Sequence, residues 1–493
     1  MKRMGSKPPN SDGILLSELK TFVSEWCSKN LTPIPPSADT SVSAWLDKCI
    51  YPKWRKDYLA SLEEELKVKL NSTRGWNDIS KVKAFTKMET YPEFKHARGI
   101  YSRSDYFKIK TGPIFKLIEK EVFKHDYFIK KIPIADRPSY IQEHVYQHGA
   151  KVIATDYSSF ESAFVKKLMN SCEMVMYEYM IQNLPEREMF LKCLNKIKTK
   201  QDINYKDINI NVDATRMSGE MCTSLGNGFS NLMFTLFLAH KNGVKSLRGV
   251  VEGDDGLFSF YGNLTQEHYS QLGLIIKLEN VEDINSASFC GLIFDEVDLS
   301  NVTDPIEVIQ NFSWLNPRYI SSADRRLKEL LRCKSLSLAH QYPGCPIIQS
   351  LAHYGLYVTR GITIRLDKIH MSNWEREQLI LAVNDKTRIL KKEIGNNTRL
   401  LVERKFGLTV EDQIELEKYF DSLKTVQVLD HEVLTRYCKL QHKQYFNDYC
   451  FVTDVNSTNR NYPIMPRRDF TVNNMSYFTE HKSESIRKSI LLR

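Results

Sequence analysis

The chain is predicted to adopt an α+β fold, on three observations. Val250-Val251-Glu252 and Leu257-Phe258-Ser259-Phe260-Tyr261 are rich in β-branched and aromatic residues and flank Gly253-Asp254-Asp255-Gly256, so residues 248–261 read as a β-hairpin. Lys151-Val152-Ile153-Ala154-Thr155 is a short apolar run, and Phe160, Phe164, Leu168, Cys172, Val175, Met176 and Tyr179 then recur at helical intervals. Beyond about residue 300 strands give way to helical periodicity, at 323–332, 373–394 and 410–423.

The hairpin turn carries the chemistry. Adjacent carboxylates at Asp254 and Asp255 repel unless a cation lies between them or water solvates both, so the turn reads either as a divalent-metal site or as a solvated surface turn. Asp156 falls where the 151–155 strand would end and makes a third carboxylate available. Ser158-Ser159-Phe160-Glu161 has capping-box spacing, so Glu161 either closes a helix cap with Ser158 or faces a ligand.

Residues 216–231 read as a loop feeding a buried helix that starts near Leu232. Gly226 and Gly228 would each cost a helix interior about 1 kcal/mol relative to alanine, which points to a close backbone approach. Ser218, Thr223, Asn227 and Asn231 offer hydroxyls and amides for a ribose or a strand backbone, or for capping the core helix. Residues 186–213 alternate polar and apolar side chains, notably Ile203, Tyr205, Ile208, Ile210 and Val212, as short strands would. An amphipathic stretch spans 58–70.

Composition sets the class. At 493 residues and 42% hydrophobic content the chain can build large cores and is not a disordered tail. A formal charge of +9 suits a polyanion, and ten cysteines without paired short spacing suggest neither a zinc site nor a disulfide framework. No apolar run approaches the roughly 20 residues that a membrane crossing needs, and the N-terminal residues lack an apolar signal core.

Taken in order, Asp156, Ser218-Gly219, Thr223, Asn227 and Gly253-Asp254-Asp255 resemble the palm motifs of viral RNA-dependent RNA polymerases, most closely the tombusvirus-like and nodavirus-like positive-strand branch. Val82-Lys83-Ala84-Phe85-Thr86-Lys87-Met88-Glu89 with Lys95-His96-Ala97-Arg98-Gly99-Ile100 resembles that family's fingers motif. Gly273-Leu274-Ile275-Ile276-Lys277 and Ser288-Phe289-Cys290-Gly291 resemble its last two palm motifs.

The resemblance implies a right-hand fold of fingers, a palm with an antiparallel sheet of the ferredoxin-like or RRM-like type, and a mostly helical thumb. It would place an N-terminal extension and fingers at 1–148, palm at 149–185, a fingers insertion at 186–213, palm again at 214–305, and thumb and C-terminal segment at 306–493. It implies template-directed synthesis of viral RNA from ribonucleoside triphosphates on a single-stranded RNA template. Asp156, Asp254 and Asp255 would hold two Mg2+ ions, for which Mn2+ can substitute, and Lys277 would donate a proton to pyrophosphate. Lys87, Lys95 and Arg98 would neutralise the triphosphate, Arg98 by a bidentate grip, while Glu161, Ser218, Gly219, Thr223 and Asn227 line the nucleotide sugar.

Glu161 departs from the family's usual aspartate, which puts its sugar role in question. Basic clusters at Arg325-Arg326, Arg332, Lys334, Lys391-Lys392, Arg404-Lys405 and Arg467-Arg468 would track the product duplex or form solvated faces, and Trp314, Tyr319 and Tyr342 would stack on a priming nucleotide or be buried. Other viral replication proteins would be partners, and the host cytoplasm at membrane-associated replication complexes the expected location. Two readings compete: a reverse transcriptase or other palm-type nucleotidyltransferase, which usually carries an aromatic-x-Asp-Asp turn, and a non-catalytic RNA-binding scaffold.

Overall fold

The computed structural model describes residues 7–87, 96, 98–206, 208–281, 289–312, 319, 322–385, 389–427 and 429–438. It is a mixed α+β structure in two compact units, the first ending at Gly291 and the second beginning at Leu292. Among the described residues the first unit holds two four-stranded sheets, and the second is mostly helical with one two-stranded sheet.

One sheet of the first unit runs in the order β2-β1-β4-β5, where β1 is Val82–Thr86, β2 Gly99–Arg103, β4 Gln201–Tyr205 and β5 Ile208–Val212. β1 and β2 are antiparallel, and β4 joins β1 in parallel with Val82 opposite Ile203. Val82, Ile203 and Met217 form a small core on it. The alternation expected over 186–213 holds only from Gln201. Arg187–Ile197 is a helix instead, because Phe190, Cys193, Leu194 and Ile197 follow the helical repeat and are all buried.

The other sheet runs β6-β7-β3-β8, with β3 Lys151–Tyr157, β6 Lys245–Glu252, β7 Asp255–Tyr261 and β8 Ile276–Val281, and every neighbouring pair is antiparallel. The helix Thr223–Lys241 is buried along most of its length, including Phe229, Leu232, Met233 and Phe234. It contributes to the same core as Ile153, Val251, Phe258 and Phe260 of the sheet, and the helix Gly13–Asn30 packs against it through Phe22 and Phe237, centroids 5.7 Å apart.

Three expectations are corrected here. The 160–179 periodicity does not give one helix: it breaks into Phe160–Ala163, Lys166–Ser171 and Glu173–Met180, as the chain turns to bury Phe160, Phe164 and Cys172 in one core. The capping box does not form, since Ser159 takes the cap position in a left-handed conformation (φ 54°) without a side-chain hydrogen bond. The buried helix starts at Thr223, nine residues earlier than Leu232, with Gly226 and Gly228 inside it. The amphipathic stretch 58–70 falls in two helices, Lys53–Ser61 and Glu63–Lys69, divided at Leu62, with Leu59, Leu62 and Leu66 buried.

In the second unit the helices Asp324–Gln341, Ile348–Val358, Asn373–Asn384, Asn396–Phe406 and Val410–Ser422 surround small cores such as Ile347, Leu351, Leu416 and Phe420. The helix expected over 373–394 ends at Asn384. Strands Ile293–Phe294 and Asn301–Val302 (β9 and β10) pair antiparallel. Several of its cations are engaged within the protein: Arg326 with Glu329 at 2.6 Å, Arg332 with the carbonyls of Leu356 and Thr359, and Lys391 with Asp421 at 2.7 Å. Tyr319 is buried and its hydroxyl accepts from the His370 amide, whereas Trp314 and Arg467-Arg468 lie outside the described residues.

Candidate active site

The β6–β7 hairpin closes with Glu252 opposite Asp255, leaving Gly253-Asp254 as a two-residue turn. Gly253 has φ 65°, the first central position of a type II′ turn, where a side chain would be strained. Asn231, fully buried on the Thr223–Lys241 helix, donates from its amide to the Asp254 carbonyl at 3.1 Å and the Gly253 carbonyl at 3.4 Å, and accepts from the Tyr157 hydroxyl at 3.1 Å. Of the two roles open to Asn231, a ligand contact or a packing role on the core helix, these bonds show the second: it clamps the turn. A Cβ on Gly228 would meet the Gly253 nitrogen at 3.5 Å, so the helix packs close to the turn at that position.

Strand pairing then assembles the carboxylates. Thr155 lies opposite Gly256, so the next residue, Asp156, comes beside Asp255; on its other side Asp156 is opposite Lys277. Glu252, Asp255, Asp156 and Lys277 thus form one row across four strands, and directly opposed residues project to the same face. Asp254 stands at the turn beside that row.

The row is electrostatically crowded. Although Asp255 is an exposed residue, partial loss of water around its carboxyl, then the negative charges of Asp254, Asp156 and Glu252, push its pKa up to about 6, against a hydrogen bond from Cys290. Lys277 donates to Glu279 at 2.5 Å. That bond, then the charges of Glu279 and Asp156, hold its ammonium pKa above the ordinary value.

A cation would relieve this repulsion, and the donor set suits a hard one: oxygens only, at a solvent-facing strand end. Among the described residues no three His, Cys, Asp or Glu side chains form a closed metal cluster.

A stability prediction follows. Asp255 binds its proton more tightly folded than unfolded, where a carboxyl titrates near 3.9, so its contribution to stability is present below about pH 4 and lost as pH rises through about 6. In EDTA, Asp255→Asn is expected to melt above wild type at pH 7.5, with the gap closing toward pH 4; equal melting at every pH would show that the crowding costs nothing.

The loop before the helix is joined to the first sheet. Ser218 Oγ accepts from the Tyr101 amide at 3.2 Å, and the Gly219 amide donates to the Tyr101 carbonyl at 2.7 Å. Thr223 Oγ1 donates to the carbonyls of Met217 (2.9 Å) and Glu220 (3.1 Å), so these groups hold the loop. Asn227 is buried, and its amide oxygen has no hydrogen-bond partner among the described residues. Glu161 is buried too, and its carbonyl accepts from Thr215 Oγ1 and the Arg216 amide, which fixes it beside the same loop.

Gly226 has a structural cause that sequence reasoning did not see: a Cβ there would meet Glu173 Oε2 at 2.4 Å, in the fully buried Arg216–Glu173 ion pair. Lys87 and Arg98 face each other beyond the β1–β2 ladder, with the Lys87 amide bonded to the Arg98 carbonyl at 2.7 Å. They belong to the first sheet and not to the carboxylate row; Lys95 lies outside the described residues.

Residues 133–342 match the family model for viral RNA-dependent RNA polymerase. The chain thus has a segment, under half of its length, that is similar to that family. It is 26% identical over 211 residues to an RNA-directed RNA polymerase of greasy grouper nervous necrosis virus, covering 40% of this chain and 21% of that protein. It is 28% identical over 225 residues to one of Panicum mosaic virus (strain United States/Kansas 109S), covering 43% of this chain and 22% of the relative. The matched part spans about a fifth of those relatives' length. All the carboxylates of the row, residues Ser218 to Asn227 and the Asn231 clamp fall inside the matched segment, whereas Lys87, Lys95 and Arg98 precede it.

Three side chains near the row were missed by sequence reasoning: Glu252, Asn231 in its clamping role, and Arg137, whose Nη1 is 2.7 Å from Glu252 Oε2. Only Glu252 left a local trace, being symmetric with Asp255 across a two-residue turn.

Proposed function

We propose that the protein is a template-directed RNA polymerase of a positive-strand RNA virus, with the Asp156–Asp255 row and Asp254 as its catalytic centre and a right-hand arrangement of fingers, palm and thumb. The observation that carries this reading is the alignment of three carboxylates and a lysine from four antiparallel strands, beside a clamped Gly-Asp-Asp turn, within a polymerase-family segment.

Asp156 and Asp254, assisted by Asp255, would hold two magnesium ions. When bound, these supply the Lewis acidity that activates a primer 3′-hydroxyl and stabilises leaving pyrophosphate. The chain's own groups do the rest. Lys87, Lys95 and Arg98 neutralise the incoming triphosphate, Arg98 by two parallel N–H bonds. Lys277, released from Glu279, donates a proton to pyrophosphate.

Asn227 accepts from the ribose 2′-hydroxyl, since its buried amide oxygen lacks a partner among the described residues, while the Ser218 hydroxyl is taken by the Tyr101 amide and that of Thr223 by the Met217 and Glu220 carbonyls. Glu161 and Gly219 hold the loop that presents it. Single-stranded RNA, the product duplex and ribonucleoside triphosphates are the substrates and products, with other viral replication proteins as partners at cytoplasmic membranes. No helix among the described residues is long and apolar enough to cross a membrane.

The deciding experiment is incorporation of labelled ribonucleotide on single-stranded RNA, primed and unprimed, with Mg2+ or Mn2+. Template-dependent product supports the polymerase; a folded protein that binds RNA without incorporation would favour the scaffold. For sugar choice, Asn227→Ala is expected to narrow the preference for ribo- over deoxyribonucleotides about tenfold, the worth of one hydrogen bond near 1.4 kcal/mol. An unchanged ratio would leave Asn227 a structural residue.

A further inference from the structure

Beside Asp156, Asp254 and Asp255, Glu252 is the fourth carboxylate of the site, and it has its own counter-charge. Glu252 closes the β6–β7 hairpin opposite Asp255, two residues from Asp254. Its partner Arg137 starts the helix Arg137–His144 and is buried, only 7% exposed. Arg137 Nη1 lies 2.7 Å from Glu252 Oε2 but is not aligned as a hydrogen bond, so the contact is mainly Coulombic. The guanidinium is fixed from behind, where Nε donates to the Ile132 carbonyl at 3.1 Å.

The segment leading to Arg137 is itself attached to the edge strand of the sheet. The Val251 amide donates to the Tyr127 carbonyl at 2.8 Å, and Phe128 bridges Val251 in parallel. This covers the β6 edge and delivers a cation to the end of β6, beside the row.

We infer that Arg137 is a positioning residue that sets the net charge of the row: it neutralises Glu252, so that a bound cation answers to the aspartates and not to a fourth free carboxylate. The inference rests on the proposed reading of the row as a cation site.

The two partners then have opposite effects. Removing the cation leaves an extra negative charge beside the row and tightens cation binding; removing the anion leaves an extra positive charge and weakens it. A pair that served only to hold the hairpin would shift binding in the same direction whichever partner was lost.

The test is Mn2+ binding to the full chain, read from the free-ion electron paramagnetic resonance signal, with melting curves alongside. Arg137→Met is expected to tighten Mn2+ about tenfold, Glu252→Gln to weaken it about tenfold, and the double variant to return within about twofold of wild type. Arg137→Lys, which keeps the charge, should bind as wild type. If Arg137→Met does not fold, Glu252→Gln and Arg137→Lys still decide. Unchanged or tighter binding in Glu252→Gln, or shifts of one sign in both single variants, overturns the inference. Absence of saturable Mn2+ binding in wild type would instead overturn the cation-site reading on which it stands.

Discussion

Asp254→Asn and Asp156→Asn are each expected to lower template-directed ribonucleotide incorporation by about a thousandfold or more, while the melting temperature of the metal-free protein stays level or rises. The magnitude follows from what a bound divalent ion supplies: several kcal/mol of stabilisation for the developing charge, at a factor of ten per 1.36 kcal/mol. Stability moves the other way because the row is a cluster of like charges; at Asp255 loss of water first, then the charges of Asp254 and Asp156, push the carboxyl pKa up to about 6. Removing one negative charge relieves the others. Coupling of activity loss with unchanged or higher stability separates a functional carboxylate from a structural one, which would lose both. Wild-type incorporation by Asp254→Asn would sink the assignment of the turn.

The second large effect concerns a pair that touches no substrate. Arg216 and Glu173 are fully buried, 2.5 Å apart, with the guanidinium 4.4 Å from the Phe164 ring centroid and the Tyr177 hydroxyl donating to Glu173 at 3.1 Å. Burial opposes the Arg216 charge, but the Glu173 carboxylate more than offsets it, so Arg216 stays firmly protonated. Breaking such a pair by removing one partner leaves an uncompensated buried charge and costs about 3–5 kcal/mol.

Glu173→Gln and Arg216→Met are therefore each expected to lower the melting temperature by about 10 °C, and incorporation should fall as well, because Arg216 opens the loop that carries Ser218 and leads into the helix bearing Thr223 and Asn227. Replacing both by apolar residues, Arg216→Met with Glu173→Leu, should recover most of the stability. If a single variant melts like wild type, the pair is not what anchors this loop.

The parts of the site legible in the sequence are those that short-range chemistry specifies. The Gly253-Asp254 turn is written locally, since a two-residue hairpin needs a residue that accepts positive φ between two β-forming runs. Asp156 at the end of β3 and the order of the segments were equally readable. Local pattern misled where burial is decided by distant partners. The 160–179 periodicity was genuine as a list of buried residues but not as one helix, and Gly226 and Gly228 looked like loop residues because nothing local says what they approach.

The sequence by itself determined the α+β class, the Gly-Asp-Asp turn and the residue types available for cation and phosphate chemistry, because hydrophobic periodicity and turn propensity act over a few residues. The tertiary structure alone decided that Glu252, Asp255, Asp156 and Lys277 share one row, that Asn231 clamps the turn, and that Arg137 faces Glu252. Those relations join residues that can lie more than 100 positions apart, and a strand slipped by a single residue would turn Asp156 to the opposite face. Register is fixed by packing both faces of the sheet, a property of the assembled core that no stretch of the chain carries alone.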